Sequence, residues 1–209
     1  MKNKNIIVFS PHNDDLELAM GGTALKYQDE GYNIIKVIFA AGHMSNPHLK
    51  EEYVVKARER QALKVERKFG FYKTIFFKLE DTKFKHEIEF VRKDIEKLIK
   101  KYEPKKIFIP AFQDVHPDHR AVTKLVKDIL KNKNVEILAY EVWSFLDENL
   151  PKVYIDVTPY FKDKIEMIKI FKPTEWFSVY MQYIPIYLRA LRFGRKINVR
   201  YAERFYRLM

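Results

Sequence analysis

The sequence predicts an α/β fold: a Rossmann-like, doubly wound, mostly parallel sheet with helices on both faces, plus a helical and aromatic C-terminal extension. Short runs rich in β-branched residues alternate with segments of helical periodicity over residues 5–142, and strands separated by helices pair in parallel. Gly or Pro closes most of these segments, which marks their boundaries. Right-handed crossovers then give the doubly wound arrangement.

Asn5–Ser10 (NIIVFS) is a buried strand that stops at Pro11. Asp15–Glu30 places Leu16, Leu18, Ala19, Met20, Ala24, Leu25 and Tyr27 at helical spacing, with Gly31 as the C-terminal stop. Asn33–Ala41 is the second strand and Gly42–His48 a loop of Gly, Ser, Asn and Pro. A helix over Leu49–Phe69 closes at Gly70, and Thr74–Leu79 is the third strand. His86–Tyr102 reads as a helix, Lys106–Ile109 as the fourth strand before Pro110, Pro117–Lys131 as a helix, and Val135–Val142 as the fifth strand. In the common 3-2-1-4-5 order the first and fourth strands are neighbours, and ligands bind in the crevice outside their C-terminal ends.

The 209 residues, 47% hydrophobic and 15% aromatic with 6 Gly and 9 Pro, suit one packed domain. That composition excludes a disordered, collagen-like or low-complexity chain. The domain is expected to span residues 1–209, with 1–145 as the Rossmann-like core and 146–209 supplying contacts to substrate or another subunit. Cysteine is absent, which excludes disulfides, thiolate metal sites and cysteine nucleophiles and fits a reducing compartment. The N-terminal apolar run of about five residues is too short for a signal peptide, so a cytoplasmic location is expected.

Lys plus Arg number 39 against 28 Asp plus Glu, a formal net charge of +11. Residues 189–209 hold Arg189, Arg192, Arg195, Lys196, Arg200, Arg204 and Arg207 against Glu203 alone, so this end carries +6 and the first 188 residues +5. Elsewhere acids and bases interleave at helical spacing, as in KARERQALKVERK, the pattern of solvated helix faces. No nucleic-acid motif accompanies the charge, so no nucleic-acid partner is expected.

Three of the six histidines follow the first and fourth strands. One segment reads Pro11-His12-Asn13-Asp14-Asp15 and the other His116-Pro117-Asp118-His119. A lone His or Asp at a strand end is ordinarily a helix cap or loop hydrogen-bonder. Two dense clusters at adjacent strand ends favour a metal site instead. Imidazole nitrogen with carboxylate oxygen suits Zn²⁺, or another first-row divalent ion such as Fe²⁺. Two His and one carboxylate would leave a position for water, with a carboxylate and a His to spare as base and acid.

These motifs, with Gly21-Gly22-Thr23 after the first, resemble the LmbE-like (PIG-L) zinc-dependent deacetylases, which remove N-acetyl groups mostly from N-acetylglucosamine units. The likeness covers nearly the whole chain: Arg58, Ala62 and Phe69-Gly70, then Asp81, Ile155-Asp156-Val157-Thr158 with Lys164, and Tyr201-Ala202-Glu203-Arg204-Phe205 occur in the family's order. It implies His12, Asp15 and His119 as zinc ligands and Asp14 as the general base toward the attacking water. It implies a protonated His116 that stabilises the oxyanion or protonates the leaving amine, with Asp118 orienting it. Arg58 and Asp81 become substrate contacts, joined by His43 in the loop Gly42-His43-Met44-Ser45-Asn46. The family's His-Pro-Asp-Asp-Glu is altered here: Asn13 replaces the proline, Leu16 replaces the glutamate, and Glu17 follows one place later, on a different side of a helix. The family's Ser-Gln is also missing from Phe171–Thr174.

Trp176–Leu191 (WFSVYMQYIPIYLRAL) is aromatic and apolar but broken by Ser178, Gln182, Pro185 and Arg189. It falls short of the roughly 20 apolar residues a spanning helix needs. Core packing or a subunit interface in a homo-oligomer is its ordinary role. The sharper reading is a peripheral membrane contact through residues 176–200, an apolar face beside arginines. The activity expected is metal-dependent hydrolysis of the N-acetyl group of an N-acetylglucosamine-type amino sugar or glycoconjugate. The same residues would also serve an amidase acting on a larger sugar–thiol or sugar–amide conjugate, and Leu16 is the argument for a catalytically silent sugar-binding relative.

Overall fold

β1 (Lys4–Ser10) is paired in parallel on both sides, with β2 (Tyr32–Ala40) from Lys4↔Tyr32 to Ser10↔Ile38 and with β4 (Lys106–Pro110) from Ile6↔Lys106 to Val8↔Phe108. The computed structural model describes residues 4–43, 46, 48–142 and 150–208. Because successive strand residues face opposite ways, Ile6 and Val8 enter one core cluster and Ile7 and Phe9 the other. One cluster takes Leu16 and Met20 of α1 (Asp15–Asp29), Met167 of α6 (Phe161–Lys169) and Ile186 of α7 (Lys172–Arg195). The other takes Ile95 and Ile99 of α4 (Arg92–Tyr102) with Val122 and Val126 of α5 (Pro117–Leu130). Helices therefore cover both faces, as the sequence predicts. α2 (Glu51–Phe69) precedes β3 (Lys73–Leu79) and ends on Gly70 at φ 74°, a left-handed terminus that glycine adopts without strain.

Among the described residues the sheet has seven strands. With β5 (Glu136–Tyr140), the order β3-β2-β1-β4-β5 matches the expected one. Two strands from the C-terminal extension complete it: β7 (Ala202–Arg207) runs antiparallel to β5, and β6 (Lys152–Asp156) antiparallel to β7 at the edge. Part of the basic end is thus inside the sheet. Arg204 pairs with Glu141 at 2.7 Å and Arg207 with Glu136 at 2.9 Å. The single helix expected over His86–Tyr102 is three pieces, α3 (Phe84–Glu87), a 3₁₀ turn (Ile88–Val91) and α4. The tighter turn eclipses residues three apart, which buries both Ile88 and Val91 while Phe90 faces solvent.

α1 breaks where it passes the extension. Its backbone leaves helical geometry at Met20 (φ −141°, ψ 21°), and the N–H groups of Gly22 and Thr23 donate to the Glu203 carboxylate at 3.1 and 2.7 Å. Glu203 therefore caps the second half of α1 from 180 residues away in sequence, in the way a local N-cap side chain would. Lys164 of α6 donates to the same carboxylate at 2.6 Å, and both side chains are buried. Burial lowers the Lys164 pKa despite the Glu203 charge. Gly22 has no room for a side chain, since a Cβ would stand 2.7 Å from the Val157 Cβ. Gly22, Thr23, Val157, Lys164 and Glu203, scattered in the sequence, meet at this one junction.

Glu203→Leu leaves the Lys164 ammonium and two backbone donors without their acceptor, and is expected to destabilise the fold by about 3–5 kcal/mol. Adding Lys164→Met removes the buried charge but not the orphaned N–H groups, so urea denaturation should show only partial recovery. Full recovery would mean the cap contributes nothing.

Candidate active site

The site forms where β1 and β4 end side by side. Asp15, the first residue of α1, turns its carboxylate back onto the chain, and Oδ2 accepts the His12 N–H at 2.7 Å. The same oxygen lies 3.5 Å from His12 Nδ1 and 3.4 Å from His119 Nε2. Those two ring nitrogens are 3.2 Å apart. His119, on the first turn of α5, is fully buried, and its Nδ1 faces Asp114 Oδ2 at 3.1 Å. His12 Nε2 faces Asp118 Oδ2 at 3.5 Å, and that oxygen accepts the Thr82 N–H at 2.8 Å.

These partners assign the ring protons. A carboxylate opposite His119 Nδ1 and another opposite His12 Nε2 leave the lone pairs of the neutral rings on the inward nitrogens. Two lone pairs and a carboxylate oxygen then converge, an arrangement that repels itself unless positive charge sits among them. Their separations match the roughly 3.3 Å edge of a tetrahedron with bonds of about 2.0–2.1 Å to its centre, the dimensions of a zinc site. A second set, His12, His116 and Asp118, is also close enough to share an ion. It is the poorer fit, because His116 Nδ1 already accepts the Asp118 N–H at 3.2 Å in capping α5.

Without an ion the cluster holds protons instead. Burial works against a charged His12, but Asp118 and Asp15 outweigh it and push the pKa to about 10. Burial is likewise outweighed at His119 by Asp15 and Asp114, which raise it to about 9. Burial would raise the Asp15 pKa, yet His119 and His12 hold it well below the usual carboxylate range. His116 goes the other way: burial lowers it, reinforced by the charge on His12 and His119. This differs from the protonated His116 oriented by the Asp118 carboxylate that the sequence suggests. The carboxylate is 3.9 Å from His116 Nδ1 and closer to His12, while the Asp118 backbone N–H holds the ring and leaves the proton on Nε2.

Asp14 stands at the N-cap position of α1 beside this cluster without a side-chain bond to the helix, and its Oδ1 accepts from Arg58 Nη2 at 3.3 Å. Arg58 comes from α2, is buried, and also donates to Glu175 at a break in the first turn of α7. Burial disfavours the guanidinium charge, but Asp14 and Glu175 raise its pKa further. Gly42 (φ 84°) lies over Arg58 so closely that a Cβ would meet its Cδ at 2.7 Å. Its N–H donates to Asp81 Oδ1 at 3.3 Å, and His43 Nδ1 is 3.7 Å from Asp81 Oδ2. Arg58 therefore touches Asp14 directly, whereas His43 from the loop after β2 and Asp81 from the loop after β3 meet at Gly42, which packs over it. Met44 and Ser45 lie outside the described residues.

Three participants escape the sequence reading. Asp114, which orients His119, stands two residues before His116 in the same loop, and that spacing was its signal. Glu175 carries no signal, because only the break in α7 turns it toward Arg58. Lys36 is a β2 residue in an apolar run. Its ammonium meets Glu17 at 2.6 Å and donates to the Asn13 carbonyl. The altered motif is thereby explained: Leu16 packs in the core, and Glu17, one place on, anchors Lys36 under the His12–Asp14 loop.

Comparison with known proteins finds related sequences and folds. The family described as PIG-L, GlcNAc-PI de-N-acetylase, matches residues 7–130. A Bacillus cereus protein named "Probable N-acetyl-alpha-D-glucosaminyl L-malate deacetylase 2" is 28% identical over 159 residues, 66% of this chain and 68% of its own. The structure of N,N'-diacetylchitobiose deacetylase from Pyrococcus horikoshii superposes with a TM-score of 0.84 at 24% identity, covering 98% of this chain and 84% of that one. The 4-carboxy-2-hydroxymuconate hydratase of Pseudomonas putida superposes with a TM-score of 0.79 at 17% identity, covering 99% and 96%. Likenesses this remote in sequence establish the fold, and the fold hosts more than one chemistry.

In chelator-treated protein, the His12 and His119 rings are expected to titrate near pH 10 and 9 and the His116 ring below 6.5, as ring C–H resonances would report. Because the folded values of His12 and His119 are raised, the stability they contribute is complete below about 6.5 and is lost as pH rises through 9 and 10. Denaturation of the chelated protein at mildly acidic and strongly alkaline pH checks the sign.

Proposed function

The chain belongs to the PIG-L family, and on that premise we propose that it is a metal-dependent deacetylase, hydrolysing the N-acetyl group of an N-acetylglucosamine-type amino sugar or glycoconjugate. The observation that carries this reading is the convergence of His12 Nδ1, Asp15 Oδ2 and His119 Nε2 on one point, with the Asp14 carboxylate next in the chain. His12, Asp15 and His119 would hold the ion. Their nitrogen and oxygen donors suit Zn²⁺, and Fe²⁺ accepts the same set. When bound, such an ion acidifies a coordinated water and polarises an amide carbonyl.

The remaining steps fall to this chain's own groups. Asp14 takes the proton from the attacking water, its carboxylate held in place by Arg58. Water adds to the acetyl carbon, the C–N bond breaks, and acetate and a free amine depart. His116, with its N–H on Nε2, would hydrogen-bond the developing oxyanion, and the proton that Asp14 took from the water passes to the departing nitrogen, as amide hydrolysis requires. Asp118 positions His116 through its backbone N–H and His12 through its carboxylate. Asp114 fixes the His119 ring, a supporting contact of the kind that tunes ligand orientation. Asp81 and His43 would meet the hydroxyls of an amino sugar, while Arg58, packed under Gly42, holds the Asp14 base.

The silent sugar-binding reading loses its main support, since Glu17 and Lys36 brace the loop that Leu16 left without the family's glutamate. An amidase acting on a larger sugar–amide would use the same residues and differ only in the acyl group released.

Acetate release from N-acetylglucosamine and its glycoconjugates, in protein loaded with Zn²⁺ or Fe²⁺, tests the proposal. Asp14→Asn is expected to lower kcat by about 10²–10⁴-fold with metal content unchanged, and His116→Ala to do the same. His12→Ala or His119→Ala should instead lose the metal by elemental analysis. No acetate from any conjugate, or a kcat for acetate release indifferent to Asp14, would overturn the assignment.

A further inference from the structure

α7 carries a surface that the active site does not use. Met181, Ile184 and Leu188 are 60%, 70% and 60% exposed, although large apolar side chains are normally covered. They stand at positions i, i+3 and i+7, one stripe of the helix. The same stripe continues through Arg192, Arg195 and Lys196, all exposed. The opposite side is the packed one, with Gln182, Ile186, Ala190 and Phe193 buried. Tyr187, half-exposed beside the stripe, is tied by its hydroxyl to the Tyr201 hydroxyl.

The charge pattern selects the occupant. No Asp or Glu occurs from Trp176 to Ala202, while Arg192, Arg195, Lys196 and Arg200 are exposed there. Arg189 is not part of this surface, since it turns inward to donate to the Val142 carbonyl at 2.9 Å. Side chains of residues 176–180 lie outside the described residues. A stripe half apolar and half cationic, without any anion, complements a surface that is apolar beneath and anionic above. That is the boundary of an anionic bilayer. A second copy of the chain would bring the same uncompensated cations, and three exposed side chains fall well short of the roughly 800 Å² per partner of a stable interface. Among the described residues no helix is long and apolar enough to cross a membrane, so the helix would lie on the surface.

We propose that α7 docks the protein onto anionic phospholipid membranes, with Met181, Ile184 and Leu188 inserted at the acyl boundary and Arg192, Arg195 and Lys196 on the lipid phosphates. Met181 is six residues after Glu175, about 9 Å along a helix, so docking sets the candidate active site close to the bilayer.

Co-sedimentation with extruded vesicles of phosphatidylcholine, with and without phosphatidylglycerol, tests this on the whole chain. Wild-type protein should pellet with the anionic vesicles alone and be released by high salt. Arg195→Gln should weaken partitioning about fivefold, the effect of one basic side chain near the surface, and Ile184→Ser/Leu188→Ser should weaken it further. Circular dichroism and turnover of a soluble substrate by these variants should be unchanged. Failure to pellet, or binding indifferent to both variants, overturns the proposal. So does a concentration-dependent dimer in light scattering that Leu188→Ser abolishes without vesicle binding, which would assign the stripe to a second copy.

Discussion

One carboxylate oxygen ties the backbone to the chemistry. Asp15 Oδ2 accepts the His12 N–H and lies within 3.5 Å of both inward imidazole nitrogens. It thereby sets the turn out of β1 and the charge of the cluster together. The contact is available only because β1 and β4 are parallel neighbours, which brings the segments after Ser10 and Pro110 to the same edge. The site is therefore a property of the sheet's strand order before it is a property of any motif.

The interior of the protein is organised by ion pairs rather than by apolar packing alone. Lys36–Glu17 supports the loop that carries His12, Arg58 joins Asp14 to Glu175, Lys164–Glu203 joins three segments, and Arg204–Glu141 sits beside the last strand. Buried pairs of this kind add little net stability compared with apolar replacements, yet breaking one partner is costly. Each pair connects segments distant in sequence, so their effect is to specify which segments meet. The net charge of +11 conceals this. Arg58, Lys164 and Arg204 are held inside, and the exposed excess gathers on α7 and the turn after it.

The five parallel strands and the six clustered His and Asp residues were legible because each signal is local: a β-branched run, a Gly or Pro stop, a dense polar motif. β6 and β7 were not. Ala202–Arg207 (AERFYR) sets two adjacent charges before two adjacent aromatics instead of alternating, and Glu203 and Arg204 look solvated until Lys164 and Glu141 are placed opposite them. Glu175 and Lys36 escaped for the same reason, since a buried charge is recognisable only by its partner. The resemblance of the C-terminal segments to the family pointed to Lys164 and Glu203 without saying why they matter. The structure supplies the reason, a helix cap made across 180 residues.

The position of β7 also governs the order in which the chain can become native during synthesis. β7 lies between β5 and β6 but follows both in sequence. Until residues 202–207 leave the ribosome, β5 presents an open edge and, among the described strands, β6 has no partner. An unpaired strand edge is a template for misassociation. The second half of α1 also waits for its Glu203 cap through this interval. Premature termination between Glu175 and Ala202 would thus release a chain bearing every candidate catalytic residue on an incomplete sheet, a species suited to aggregation and proteolysis rather than to partial activity.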